Sequence, residues 1–189
     1  MKSREQALEL LQQYTKSESL LRHAFAVEAS MRAYAQKSGE DVEKWGITGL
    51  LHDFDYEQYP TPQEHTIVGA KILAQQGYPD DVIYAIRAHA DYNGLVRDTP
   101  LAKALYACDE LSGFVMAVAM VRPNRDLADV EVKSVKKKLK DKAFARGVNR
   151  DDVYNGAEEL GVNLDEHIDF VIRALQNVRG ELGLDGQTA

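Results

Sequence analysis

The sequence has few of the features that mark a secreted or membrane protein. Cys108 is the only cysteine among 189 residues, which excludes an intramolecular disulfide and a cysteine-based zinc site. The longest apolar run, Phe114–Val121, has eight residues and is too short to cross a bilayer. The first residues, Met-Lys-Ser-Arg-Glu-Gln, contain no apolar signal core. We therefore expect a cytoplasmic protein that does not interact with a membrane.

Signals for strands, repeats and interdomain linkers are also missing. No segment alternates apolar and polar residues as a half-buried strand does, and no internal repeat or Gly/Ser/Pro-rich stretch divides the chain. Apolar residues make up 44% of the sequence and charged residues 28%, which is ordinary for a globular protein and excludes a disordered tail. These observations predict one all-α domain over residues 1–189.

Apolar residues recur at intervals of three and four, the period of an α-helix. One example is the stripe of Leu20, Val27 and Met31, which lies between a capping residue, Ser17, and a stop signal, Gly39. Thr61 followed by Pro62 is typical of a helix start, because proline fits the first helical position. The pattern predicts helices at about residues 4–14, 18–37, 41–52, 62–76, 80–90, 101–121, 132–144, 150–160 and 164–182.

Six polar side chains fall beside the apolar stripes of these helices: His23, His52, Asp53, His65, His89 and Asp109. A carboxylate on a core-facing surface is costly unless it is paired or bound to a metal. Imidazole and carboxylate ligands together suit Fe, Mn, Co, Ni or Zn better than Mg. The set therefore predicts one shared cation site. Periodicity alone is not decisive, because a single inward histidine is usually a hydrogen-bonded core residue, and His167 also lies near an apolar stripe.

The order and spacing of these residues resemble the HD superfamily of metal-dependent phosphohydrolases, named for an adjacent His-Asp pair. The stretch LLHDFDYE is similar to the family signature, and EHTIVGAKIL resembles the helix that supplies a further histidine in the HDIG-type subgroup. The first histidine lies in LLRHAFAVE, the fourth in IRAHADYNG and the closing aspartate in ALYACDELSGF. The resemblance covers about residues 18–120, and a helical extension is expected over residues 124–184.

The resemblance implies an HD-domain helical bundle with two divalent transition-metal ions. It assigns His23, His52, Asp53 and Asp109 to a basic ligand set in which Asp53 bridges both ions, and adds His65 and His89 for the second ion. Such a pair of ions holds a hydroxide that attacks phosphorus. The expected activity is hydrolysis of a small phosphate mono- or diester, such as a nucleotide.

The general acid is harder to place than the metal ligands. Besides Asp53, the candidate catalytic residues are Asp55 and Glu57. In the stringent-response and 5′-nucleotidase branches of the family, the catalytic acid stands three positions after the aspartate, where this chain has Tyr56. The two carboxylates flank that position, and the alternative is that they are solvated loop residues. Asp91 and Asn93, shortly after His89, are candidates for orienting the ligands.

Positive charge is concentrated in one segment of an acidic chain. The net charge is −7, so non-specific nucleic-acid binding is not expected, yet Lys133–Arg150 contains eight basic residues and one acidic residue. One interpretation is a phosphate-binding wall in which Lys136, Lys137 and Lys140, together with Arg87, bind a small anionic substrate. The alternatives are a solvated helix face and an RNA contact, which the scarcity of interleaved aromatic residues does not favour.

Two other functional classes fit the same residues. A di-iron oxygenase of the inositol-oxygenase type uses the same order of six ligands, and a non-catalytic, metal-stabilised binding module would keep the fold without turnover. Oxygen uptake or metal-dependent phosphate release would separate these classes. The sequence leaves the substrate, the identity and number of the metal ions, and the oligomeric state open.

Overall fold

The computed structural model describes residues 1–187 and confirms the all-α prediction. No strand is present within that range, where the one β-type pairing is an isolated bridge between Asp126 and Asp185. None of the helices in residues 1–187 combines the length and apolar character needed to cross a membrane. The α-helices are α1 Arg4–Tyr14, α2 Glu18–Ser38, α3 Val42–Leu51, α4 Ile67–Gln75, α5 Asp80–Ala88, α6 Pro100–Met120, α7 Val132–Leu139, α8 Arg150–Leu160 and α9 Leu164–Gln176.

The chain divides into two compact units, Met1–Tyr106 and Ala107–Ala189. The boundary falls inside α6, whereas the sequence indicated a core that ends after this helix. A single domain over residues 1–189 stays a prediction, and its last two residues lie outside the described part of the chain.

In the first unit, α2 packs along α3, and α1 also packs on α3. Val27 and Met31 of α2 are fully buried, as are Leu50 and Leu51 of α3, so the helices share an apolar core. Between them, Gly39 ends α2 in the left-handed conformation with φ 72°, which glycine adopts without strain. These two helices form the framework that carries the predicted His-Asp pair.

The N-terminus of α4 differs from the prediction, because the helix begins at Ile67 and not at Pro62. Thr66 has φ 63°, which interrupts the helical conformation just before α4. The carboxylate of Asp55 accepts hydrogen bonds from the backbone amides of Thr66, at 2.9 Å, and Gly69, at 2.8 Å. A side chain distant in sequence thus caps α4, and His65 precedes the helix instead of lying within it.

In the second unit, α7 and α8 pack against α9. Val135 of α7 and Val171 of α9 are fully buried. The basic helix ends at Leu139, five residues earlier than predicted. Residues 140–149 form turns, and the guanidinium group of Arg150 donates to the carbonyls of Ala145 and Val148 at 2.9 and 2.8 Å. The Arg150 side chain thus donates to carbonyls of this turn segment, and the carbonyl of Ala145 also accepts from the amide of Val148 at 3.1 Å.

Candidate metal centre

The first part of the candidate site lies where α2 and α3 approach most closely. A Cβ at Gly49 would stand 2.9 Å from the carbonyl oxygen of Val27, so only glycine fits this crossing. One turn further along α3, His52 lies at the helix C-terminus and is fully buried. Its Nε2 is 3.2 Å from Nε2 of His23 on α2. The close crossing therefore brings two histidines from different helices to one point.

Asp53 connects this pair of histidines to a second group. Its Oδ2 lies 3.4 Å from Nε2 of His52. On the other side, its Oδ1 lies 3.1 Å from Nε2 of His65 and 3.3 Å from Nε2 of His89. Asp53, His65 and His89 offer ligand atoms close enough to hold one metal ion. The Asp53 side chain is 23% exposed, so an ion or substrate can reach it from solvent.

Hydrogen bonds at Nδ1 fix the orientation of three of these rings. Nδ1 of His52 donates to the carbonyl of Gly49 at 2.8 Å, and Nδ1 of His89 donates to the carbonyl of Ile86 at 2.6 Å. Nδ1 of His65 donates to Oδ1 of Asp55 at 2.9 Å. A neutral imidazole that donates through Nδ1 has a lone pair at Nε2. All three rings therefore present Nε2 to Asp53, as metal-ligating histidines do.

The charge distribution at Asp53 fits a bound cation. Its Oδ1 is buried and makes no hydrogen bond, although two imidazole nitrogens lie near it. Burial raises the pKa of Asp53, but the neighbouring histidines, His52 foremost, outweigh this effect and hold it well below the usual value. Burial lowers the pKa of His65, but Asp53 and Asp55 outweigh this effect and raise it to about 9. The group thus favours a positive charge between the carboxylate and the rings, which a proton or a metal ion supplies.

The two predicted acid candidates lie in different environments. Asp55 is buried, and its oxygens accept from Nδ1 of His65 and from two backbone amides. Glu57 is exposed and accepts from the amides of Lys16 and Ser17 at 2.7 and 3.0 Å, where α2 begins. Both carboxylates are therefore engaged in hydrogen bonds, and their use as acids stays a prediction.

The remaining predicted site residues are distributed over both units. Arg87 lies on α5, and its buried Nε makes no hydrogen bond. Asp109 lies on α6 in the second unit, and its place in the ligand set stays a prediction. Lys136, Lys137 and Lys140 line a surface cavity of about 500 Å³ in the second unit, where Lys136 pairs with Asp165 at 2.7 Å.

Two exposed tyrosines flank His65. The ring of Tyr56 meets the His65 ring edge to face with centroids 5.1 Å apart, and the Tyr92 ring lies 6.4 Å from it. The tyrosines are 41% and 50% exposed. The sequence did not indicate Tyr92, or the bonds that Asp55 receives from Thr66 and Gly69. Gly69, four residues after His65, was the local signal for a close approach at this point.

Comparison with known proteins agrees with this geometry. The model of the family described as HD domain matches residues 20–113. Ribonuclease Y of Nitratidesulfovibrio vulgaris is 33% identical over 98 residues, which are 51% of this chain and 18% of the relative. Ribonuclease Y of Thermosipho melanesiensis is 31% identical over 115 residues, or 60% of this chain and 21% of the relative.

A tRNA (cytidine(56)-2′-O)-methyltransferase of Thermoplasma volcanium is 33% identical over 82 residues, 43% of this chain and 24% of the relative. The matches thus span about a fifth of the length of these curated relatives. No solved structure matches the chain at a significant level. The matched region contains His23, the His52–Asp53 pair, His65, His89 and Asp109. Through residues 20–113, the chain belongs to the HD domain family.

Proposed function

We propose that this protein is a metal-dependent hydrolase of a small phosphate mono- or diester, such as a nucleotide. An HD domain implies phosphohydrolase-type activity that depends on a divalent metal ion. The observation that carries the proposal is the arrangement around Asp53, where three Nδ1-anchored histidines turn Nε2 toward one carboxylate. A structural histidine needs no such convergence, whereas a metal site does.

The proposed ligands divide between two ions from the Fe, Mn, Co, Ni and Zn group. Divalent ions supply charge that polarises a phosphoryl oxygen and lowers the pKa of water. Asp53 lies between His52 and the pair His65 and His89, which supports a bridging role for its two oxygens. The proposed ligand set is completed by His23 and Asp109, as the family resemblance implies.

The protein's own contribution is to hold these donors in place before substrate arrives. His52 and His89 are at least nine-tenths buried, and backbone carbonyls fix their rings, so little reorganisation is needed on binding. Glu57 is the proposed source of the proton that the leaving oxygen takes, whereas Asp55, the other predicted acid, lies buried against His65. Glu57 also contributes to the structure, because it accepts from the amides of Lys16 and Ser17.

The tyrosines beside His65 support a nucleotide as the substrate. Tyr56 and Tyr92 expose aromatic rings beside His65, and Nε2 of His65 faces Asp53. Stacking of a base on such a ring contributes about 1–3 kcal/mol. Replacing Tyr56 by Ala should raise KM for a nucleoside monophosphate more than for glycerol phosphate. The same replacement at Tyr154, 44% exposed in the second unit, is the matched control.

We also propose that the basic residues bind substrate phosphate. Arg87 supports this role because its buried Nε makes no hydrogen bond. Lys136, Lys137 and Lys140 share one cavity on the second unit, which supports a common anionic ligand. Replacing the three lysines by Ser should raise KM and weaken its dependence on salt. An unchanged KM with unchanged salt dependence would contradict this role.

A second candidate substrate is an RNA phosphodiester. This substrate is favoured by the similarity to proteins named as ribonucleases and as a tRNA methyltransferase. Nucleoside monophosphates, a dinucleotide and a short RNA, assayed side by side, distinguish the two substrates. Activity on the RNA alone would replace the small substrate by a polymer.

The test of the proposed function combines metal analysis with an activity screen. The chain, purified without a histidine tag or chelator, should contain bound transition metal and release phosphate from esters only when the metal is present. Asp53→Ala should abolish both properties. Oxygen consumption without phosphate release would favour the di-iron oxygenase class instead, and metal binding without either activity would indicate a binding module.

A further inference from the structure

The environment of Asp55 is unusual for a carboxylate near a candidate active site. The residue is 1% exposed, and both its oxygens accept hydrogen bonds. Oδ1 binds Nδ1 of His65 at 2.9 Å, while Oδ2 binds the amides of Thr66 and Gly69 at 2.9 and 2.8 Å. This carboxylate is thus held against the start of α4 with no face turned to solvent.

The surrounding structure is built to keep that contact. A Cβ at Gly69 would lie 2.7 Å from Oδ2 of Asp55, so any larger residue would push the carboxylate away. Thr66 is fully buried with φ 63°, a strained conformation for a β-branched residue. Asn93 Nδ2 donates to Oγ1 of Thr66 at 2.7 Å and to the carbonyl of Arg87 at 2.8 Å, which ties this segment to α5.

The second ring nitrogen of His65 shows what the contact with Asp55 achieves. Nε2 of His65 lies 3.1 Å from Oδ1 of Asp53, so the ring stands between two aspartates. One nitrogen is committed to Asp55, and only the other can serve as a ligand. Rotation of the ring would break the bond to Asp55 and move Nε2 away from the site.

We propose that Asp55 is a positioning residue, which fixes the His65 ring as a metal ligand and acts through it instead of on the substrate. The inference rests on the proposed function, because it presupposes a divalent ion at Asp53, His65 and His89. Thr66, Gly69 and Asn93 contribute to the same positioning, since they hold Asp55 and the segment around it. The proposal differs from a general-acid role, in which Asp55 would transfer a proton to the leaving group.

Titration of the metal-free chain with Mn²⁺, followed by calorimetry, tests the proposal. Asp55→Asn keeps the size of the side chain but leaves one acceptor oxygen for the three donors, His65, Thr66 and Gly69. Asp55→Asn should weaken binding of one ion by about 10–100-fold, the usual loss when the partner of a ligating histidine is removed. At saturating Mn²⁺ much of kcat should return, because the ligand itself is still present. Asp98→Asn, an exposed change in the same unit, is the matched control and should leave both quantities unchanged.

Three results would overturn the proposal or separate it from its premise. Unchanged Mn²⁺ affinity with kcat lost at saturating metal would make Asp55 the acid. Unchanged affinity and unchanged kcat would deny it any role. If Asp55→Asn does not fold, Gly69→Ala replaces it, because it displaces the carboxylate without removing it and should weaken the same ion. Absence of phosphate release from the wild type would refute the proposed function while leaving the affinity comparison valid.

Discussion

Replacement of Gly49 by Ala tests whether the crossing of α2 and α3 builds the first half of the site. The added Cβ would lie 2.9 Å from the carbonyl oxygen of Val27, 3.0 Å from the amide of Glu28 and 3.0 Å from Cγ of Met31. Two of these neighbours are backbone atoms of α2, which cannot move aside as a flexible side chain does. The helices must therefore separate by several tenths of an ångström.

Two opposing effects set the size of the expected loss. Overpacking of a dense core costs about 1–3 kcal/mol, and the backbone contacts place Gly49→Ala in the upper part of that range. Replacing glycine by alanine within a helix stabilises the folded state by about 1 kcal/mol, because alanine has the higher helix propensity. The free energy of unfolding should therefore fall by roughly 1–2 kcal/mol, which corresponds to a Tm lower by roughly 5–10 °C for a unit of this size.

The substitution should also change the metal site. Separation of the helices moves His52 away from His23, so Gly49→Ala should also weaken metal binding, measured by Mn²⁺ titration. Gly46→Ala, on the same helix, is the matched control, because the three atoms nearest its Cβ would belong to the flexible side chain of Arg32. It should leave metal affinity unchanged. If Gly49→Ala melts at the wild-type temperature and binds Mn²⁺ normally, the close crossing does not position these histidines.

Three further substitutions test other parts of the structure. Glu57 accepts hydrogen bonds from two backbone amides at the start of α2, which lower its pKa. Glu57→Gln should therefore lower Tm above pH 4.5, and the difference should disappear as the pH falls below 4.5. It should also lower kcat, because Glu57 is the proposed acid, and an unchanged kcat would contradict that role. Glu28 is buried between Arg4 and Arg32, whose side chains are 34% and 22% exposed. Glu28→Gln should lower the free energy of unfolding, measured with a chemical denaturant, by about 2 kcal/mol. This loss is smaller than that for breaking a fully buried ion pair, because both arginines are partly solvated. His167→Phe should lower the unfolding free energy by about 1–3 kcal/mol without changing metal content, and a loss of metal would make His167 part of the site.

Local signals account for the parts of the fold that the sequence predicted well. The helix Arg4–Tyr14 was predicted with its observed bounds, and Gly39 ends α2 as expected. The start of α4 could not be found in the same way. Thr61-Pro62 has the local pattern of a helix start, but the cap that decides the structure comes from Asp55, eleven residues before Thr66. A capping residue supplied from elsewhere in the fold leaves no mark in a local window.

The same distinction applies to the site. The residue types and their order were sufficient to predict that Asp53 shares a site with His52, His65 and His89, and the structure brings these four together. Sequence could not show which nitrogen each ring presents, because that depends on a partner for the other nitrogen. It therefore placed Asp55 among the acids, although its nearest side-chain partner is His65. A ligand is predictable from its identity, whereas its orientation depends on tertiary contacts.

His167 shows why orientation is the more informative property. It is as buried as His52, and both lie beside apolar stripes, so burial and periodicity do not separate them. His167 donates through Nε2 to the carbonyl of Ala107 at 2.9 Å, which commits the outer nitrogen of the ring to the protein. His52 and His89 stand at the C-termini of α3 and α5 and donate through Nδ1 to carbonyls three residues earlier. At a helix C-terminus such a carbonyl has no intrahelical partner, so it anchors Nδ1 and leaves Nε2 directed outward as a ligand.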